Sequence, residues 1–285
     1  LCEDPDETVQ YAAASALIDA GALQDASEVV ERLAISGGDA ARHRALLVGQ
    51  LVAVDTEQHV EAARAIMSSE GDLLHDVLDG FQVGHRHKER SLPTALADAV
   101  VARVNRDESE VRSDAPLLAD LAELAPGRIL TEAWPDVWHR WMPQSRCVLA
   151  DILPAAVQRV PRLQQEGIEL LTRLIQDGSF AVRRSAARSL SRVREATLFE
   201  WCDEACRSGS IHLRRLAIEA AAWLPSDSEV SVDNAVVRMG RADAERTVRD
   251  AAERAGRDMR RRSWARSLLA PRRGSVLVAP TRQRR

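Results

Sequence analysis

Apolar side chains recur every three or four residues along most of this chain, and they nowhere alternate with period two over a useful length. That spacing lines one face of an α-helix and gives a strand no consistent buried side, so an all-helical chain is expected. Helices are predicted at about 7–20, 22–35, 38–53, 56–68, 71–82, 93–105, 115–125, 129–142, 145–158, 162–177, 179–193, 195–208, 210–224, 229–240, 243–256 and 258–269. Pro93, Pro116, Pro135 and Pro161 are assigned to helix boundaries, while Pro154 falls inside a predicted helix, where its missing N–H breaks one rung. Gly84–Leu92 reads as the longest loop. The tail from Pro271 carries five Arg and no acid and is expected to be disordered, although Ser275–Val278 would suit addition to a sheet edge.

Within the helical pattern a frame repeats. Segments starting at Asp4, Asp177, Ser208 and Ala242 share a turn, a capping residue, an aliphatic, usually an arginine, and then a small residue on the same face. Asp, Ser or Gly in the turn supplies turn geometry or satisfies the free N–H groups of a helix start. The aliphatic and the alanine four positions on share a stripe, and an alanine there admits a neighbouring helix. The aliphatic markers are Val9, Val182, Leu213 and Val248, with a weaker copy at Ala41. Adjacent markers lie 32, 31 and 35 residues apart, and the interval from 41 to 182 has room for about four more units. Amphipathic segments precede the later copies at 163–176, 195–207 and 227–239.

The run around Val182-Arg183, echoed at Leu213-Arg214, Val248-Arg249 and Val9-Gln10, resembles the HEAT repeat family, in particular its short bacterial form. The likeness is clear over residues 4–53 and 161–257 and rests on helix spacing alone over 55–158. It implies a right-handed α-solenoid of about eight stacked antiparallel helix pairs, used mainly as an interaction surface. It also implies that the arginine after the aliphatic pairs with an Asp of a neighbouring repeat. Arg183, Arg214 and Arg249 are therefore assigned to repeat stacking, together with Val182, Ala186, Leu213 and Val248. The expected divisions are 1–83, a more divergent helical stretch 84–160, 161–270, and the tail 271–285.

Composition supports a folded helical chain and adds a polarity along it. Hydrophobic residues make up 45% and charged residues 29%, with mean hydropathy −0.25, which excludes a charge-dominated disordered chain. Aromatics are only 4%, and Ala, Leu, Arg and Glu favour helix over strand. No apolar run approaches the ~20 residues that cross a bilayer, so no membrane partner is expected. The start at Leu1-Cys2-Glu3-Asp4, without Met or a basic and apolar leader, reads as part of a longer protein. Residues 183–285 hold 23 Arg against 13 acids, a net of +10, whereas residues 1–182 carry −14. One half attracts anions and the other repels them. Lys88 is the only lysine, a bias attributed to a GC-rich genome. Cys2, Cys147, Cys202 and Cys206 are too scattered for a disulfide framework and lack the further ligands that zinc needs, so reduced thiols in a cytoplasmic protein are expected.

Arg183, Arg184, Arg188, Arg192, Arg194, Arg214, Arg215, Arg249, Arg254 and Arg257 recur at repeat spacing and would line up along a stack. A guanidinium fork suits carboxylate or phosphate. Arg184, Arg188 and Arg215, which flank the stacking positions, are the candidates for partner contact. Trp134, Trp138 and Trp141 stand at i, i+4 and i+7 and would form one helical stripe, a core element if inward-facing and a binding hot spot if exposed. His85-Arg86-His87-Lys88 has no clear third ligand and reads as a solvated basic loop.

There is no Gly-x-Ser-x-Gly, phosphate loop, dinucleotide fingerprint or His-Glu-x-x-His motif. No catalytic residue, cofactor or metal is therefore expected. Trp201, Asp203 and Trp223 supply residue types used by helical-repeat DNA glycosylases but match no motif, leaving that as a distant third reading. The leading expectation is a non-enzymatic scaffold or sensor region, part of a larger bacterial multidomain protein, that binds another protein. The alternative is nucleic-acid binding through residues 183–285.

Overall fold

The computed structural model describes residues 1–34, 39–69, 73–85, 91–105, 115–132, 134–224 and 234–269. Every regular element among them is helical, and none of the described helices is long and apolar enough to cross a membrane. The chain divides into two compact units, Leu1–Leu174 and Ile175–Arg285.

The first unit contains α1 (Glu7–Asp19), α2 (Leu23–Leu33), α3 (Asp39–Val54), α4 (Thr56–Ser69), α5 (Leu74–His85), α6 (Thr94–Val104), α7 (Ala115–Leu124), α8 (Pro126–Thr131), α9 (Trp134–Val137), α10 (Pro143–Arg159) and α11 (Gln164–Leu174). Its contacts run from one helix to the next and the next but one: α1 meets α2 and α3, α3 meets α4 and α5, α4 meets α6, and α5 and α6 both meet α7. α2 shows the cause. It buries Ala26, Val29, Val30 and Leu33, a stripe at three- and four-residue steps that one neighbour alone cannot cover. α3 and α5 approach most closely because Gly49 on α3 and Gly80 and Gly84 on α5 bring backbone against backbone.

The second unit contains α12 (Phe180–Cys206), α13 (Ile211–Ala221), α14 (Ala235–Arg241) and α15 (Arg246–Leu269). α13 contacts α12, α14 and α15, and α14 contacts α12 and α15. Val182, Ala186, Leu190, Leu216, Ala217, Val237, Val248 and Ala251 form its core. Asn234 is a buried polar tie. Its Oδ1 accepts from the Val237 N–H at the start of α14, and its Nδ2 donates to the Ala221 carbonyl that ends α13.

Several expectations change. The breaks expected after 83 and after 160 do not separate compact units; the division falls after Leu174. α4 packs on α6 and α5 on α7, which ties the chain together across the first expected break. The helix predicted over 129–142 is three pieces: α8, α9 and a 3-10 turn at Trp138–Arg140. Pro126 starts α8 early, Glu132 is extended where α8 ends, and Pro143 disfavours helical backbone at the residue before it, so Met142 is extended. α12 joins two predicted helices but breaks where expected, at Arg194, whose backbone is extended. The break predicted near 257 is absent, because Gly256 alone, without a proline or a cap, does not interrupt α15. The basic loop at 86–88 and the tail 271–285 lie outside the described residues.

Candidate interaction surface

The repeated frame folds into one turn, built four times. Its first residue is Asp4, Asp177, Ser208 or Asp243, the last lying one position after the segment start read from the sequence. The side-chain oxygen of each accepts the backbone N–H two residues on, at Asp6, Ser179, Ser210 and Glu245 (2.9, 2.7, 3.1 and 2.8 Å). Its carbonyl oxygen accepts from the side chain six residues on: Gln10, Arg183, Arg214 or Arg249 (2.5, 3.0, 3.0 and 2.7 Å). The three arginines also reach the next carbonyl, at Gly178, Gly209 and Ala244. One guanidinium thus satisfies two oxygens of its own turn. Gln10 in the first copy satisfies the same carbonyl without a charge.

The rest of the guanidinium reaches outward. Arg183 binds Glu219 Oε2 through Nε and Nη2 (3.1 and 2.8 Å), 36 residues on. Arg214 binds Asp243 in a two-pronged fork (2.8 and 3.3 Å), 29 residues on. Arg42, at the weaker copy, donates to Asp76 (2.8 Å), 34 residues on. The expected Asp partner is present at Arg214, whereas at Arg183 the acid is a Glu. Arg249 makes the turn contacts, and no ion pair to a later helix is found for it among the described residues. Val182, Ala186 and Val248 are buried as stacking requires, but Leu213 is only half-buried, and α13 buries Leu216 and Ala217 instead.

The Arg214 hydrogen bond, more than any other influence, holds the Asp243 carboxyl below its usual range. A depressed folded value stabilises the fold at neutral pH, and that stability is lost as pH falls through the depressed value. Arg214→Met should therefore lower the urea midpoint at about pH 7 and flatten its decline towards about pH 3. Parallel curves for the variant and the native chain would contradict the pairing.

The tryptophan stripe does not exist as a surface. Trp134 is 0% exposed and its Nε1 donates to the Ile129 carbonyl (2.7 Å), while Trp141 is 8% exposed and meets Trp134 edge-on with ring centroids 5.3 Å apart. Trp138 is half-buried in the 3-10 turn. Breaking the helix around Glu132, Val137 and Met142 turns the stripe into core, which removes Trp134 and Trp141 from partner contact.

The arginines flanking the frame converge instead on a tryptophan. Trp223, half-buried just past α13, has the guanidinium carbons of Arg184 and Arg188 on α12 at 5.7 and 5.9 Å from its ring centroid, and that of Arg262 on α15 at 4.2 Å. A cleft beside it is walled by Ile175, Leu216 and Ala220 and edged by Phe180, Arg184 and Asp258. Arg215 lies 3.9 Å from Glu219, on the acid that Arg183 already holds. Sequence reading selected Arg184 and Arg188 but missed Arg262, which reaches Trp223 only because α15 continues past Gly256. Asp203 is held by Arg207, which caps the end of its helix (2.7 Å).

Other polar groups are structural. His75 pairs with Asp120 (3.3 Å), and that hydrogen bond raises the imidazole above its ordinary value. Burial pushes the Cys202 thiol well up and Cys206 up to about 11, so both stay protonated at neutral pH. Among the described residues no cluster of His, Cys, Asp and Glu is arranged to hold a metal.

Residues 164–256 match the family model for HEAT repeats. No curated protein and no solved structure matches the chain.

Proposed function

Because residues 164–256 match the family model for HEAT repeats, we propose that the chain is a non-enzymatic interaction module whose second unit binds a protein partner. HEAT repeats generally mediate protein interaction and scaffolding. The observation that carries the reading is a pair of outward apolar side chains at equivalent frame positions. Phe180 opens α12 and Ile211 opens α13, each two residues before its aliphatic marker, and they are 49% and 44% exposed. Stacking does not need them, because Val182 and the Arg183 and Arg214 pairs already join the frames. Large apolar groups repeated at one exposed position suit a partner that covers them. A right-handed course of about eight helix pairs, a cytoplasmic setting and a place in a larger bacterial multidomain protein belong to the same proposal.

The test is capture of a stoichiometric partner by the full chain and by a Phe180→Asp, Ile211→Asp double variant of unchanged helicity. The double variant should release the partner, and labelled DNA and RNA should fail to bind at micromolar concentration in low salt. Capture that ignores the substitutions, or nucleic-acid binding that falls steeply with salt, overturns the proposal.

A further inference from the structure

The exposed face of the second unit changes character along its stack. α13 packs against both α12 and α15. Phe180 and Ile211 stand two residues before their aliphatic markers, and the residue so placed in α15 is Arg246. At 3.6 residues per turn, Arg257 lies about three turns beyond Arg246 and Trp264 five turns beyond it, so both face the way that Phe180 and Ile211 face. Arg254 and Arg261 flank Arg257 on the same stripe. All three arginines are exposed, and no ion pair is found for them among the described residues. Trp264, the next position of the stripe, is 67% exposed.

The nearby acids are engaged elsewhere. Asp250 lies 3.8 Å from Arg246, Glu253 lies 3.2 Å from Arg241, and Asp258 edges the cleft beside Trp223. From Arg254 to the end of the chain there are eleven Arg and one acid, so the whole +10 of residues 183–285 belongs to this stretch. Successive arginines of the stripe are about 4.5 and 6 Å apart along the helix axis, inside the ~8 Å screening length of physiological salt. They repel one another, and an incoming row of anions relieves the repulsion.

We propose that this stripe receives an acidic helix of the protein partner, one that sets carboxylates against Arg254, Arg257 and Arg261 and an apolar side chain against Trp264. The inference rests on the protein-partner reading and adds the chemistry of the segment that the partner presents. Steps of three, four and three residues, from Arg254 to Trp264, are the spacing at which two helices meet lengthwise. Arginine forks accept carboxylates two-pronged, and Arg and Trp are the side chains that anchor protein interfaces. Phe180 and Ile211 on the same face favour a protein over a nucleic-acid strand, whose phosphates offer them nothing.

The experiment uses the full chain and fluorescence anisotropy. The probe is a labelled alanine-based helical peptide with Glu at alternating three- and four-residue steps and one Leu on the same stripe. A Gln counterpart, a labelled thymidine oligonucleotide and phosphatidylserine vesicles serve as comparisons. The Glu peptide should bind, and the Gln peptide should bind roughly tenfold or more weakly. Arg257→Glu with Arg261→Glu should weaken the Glu peptide by roughly tenfold while helicity and melting stay unchanged, and Trp264→Ala should weaken both peptides. Arg192→Glu, which reverses an exposed charge elsewhere on α12, should have little effect. The proposal is overturned if neither peptide binds, if binding survives the double reversal on α15, if Arg192→Glu acts as strongly, or if the oligonucleotide or the vesicles bind more tightly than the Glu peptide. Should the peptide fail while the Phe180→Asp, Ile211→Asp variant still releases a protein partner, the acidic chemistry falls and the protein-partner reading stands. Failure in both experiments removes both.

Discussion

Gly80→Ala is expected to destabilise the first unit by roughly 2–3 kcal/mol, even though alanine is the better helix former by up to about 1 kcal/mol. A Cβ at position 80 falls on the Leu46 carbonyl oxygen, and one at Gly49 falls on the Val77 carbonyl oxygen. Both obstacles are backbone, which cannot rotate aside as a side chain can. α3 and α5 must then separate, which loosens Leu47, Leu51, Val77 and Phe81, all buried in the core. Gly127→Ala is the contrast. Its added methyl meets nothing nearer than Leu163 Cδ1 at 4.0 Å, so it should leave stability unchanged or raise it by a fraction of a kcal/mol. Thermal melts followed by circular dichroism separate the two cases. A Gly80→Ala chain that melts with the native one would mean that the two helices do not approach this closely.

Arg183→Met should cost the second unit about 3 kcal/mol. The substitution leaves the Glu219 carboxylate only the looser contact with Arg215 and strips the donor from the Asp177 and Gly178 carbonyls, at a site where both ionic side chains are nearly buried. Arg249→Met removes the turn contacts alone and should cost nearer 1 kcal/mol. Adding Glu219→Met to Arg183→Met should recover part of the loss, because the poorly compensated carboxylate disappears while the two carbonyls remain unpaired. Arg183→Lys should recover little, since an ammonium cannot serve an acid and two carbonyls with one planar fork. Urea midpoints of the single and double variants measure the coupling. Strictly additive effects would mean that Arg183 and Glu219 do not act as a pair.

The helical course, the repeated turn and the arginine behind each aliphatic marker were legible in the sequence because they are local. Apolar spacing sets helix faces within a few residues, and an Asp or Ser at a turn satisfies its own neighbours. The family likeness led to an Asp as the partner of Arg183, and the structure has a Glu there. Glu219 itself was not legible, because positions along a chain do not say which side chains meet across helices. Gln10 was readable in hindsight: it stands where the other copies have arginine and reaches the equivalent carbonyl.

Tertiary structure decided the rest. Trp134 and Trp141 carry a surface-stripe spacing that the broken backbone between α8 and α10 converts into core, since Glu132, Trp141 and Met142 are extended and the spacing depends on a continuous helix. Trp223 has no local signature at all. It gathers three guanidinium groups because α12 delivers Arg184 and Arg188, and an uninterrupted α15 delivers Arg262 from 39 residues further along. Short-range chemistry sufficed to specify the repeating unit. The contents of the cleft follow from how successive units meet, because opposing helices converge only in the folded chain.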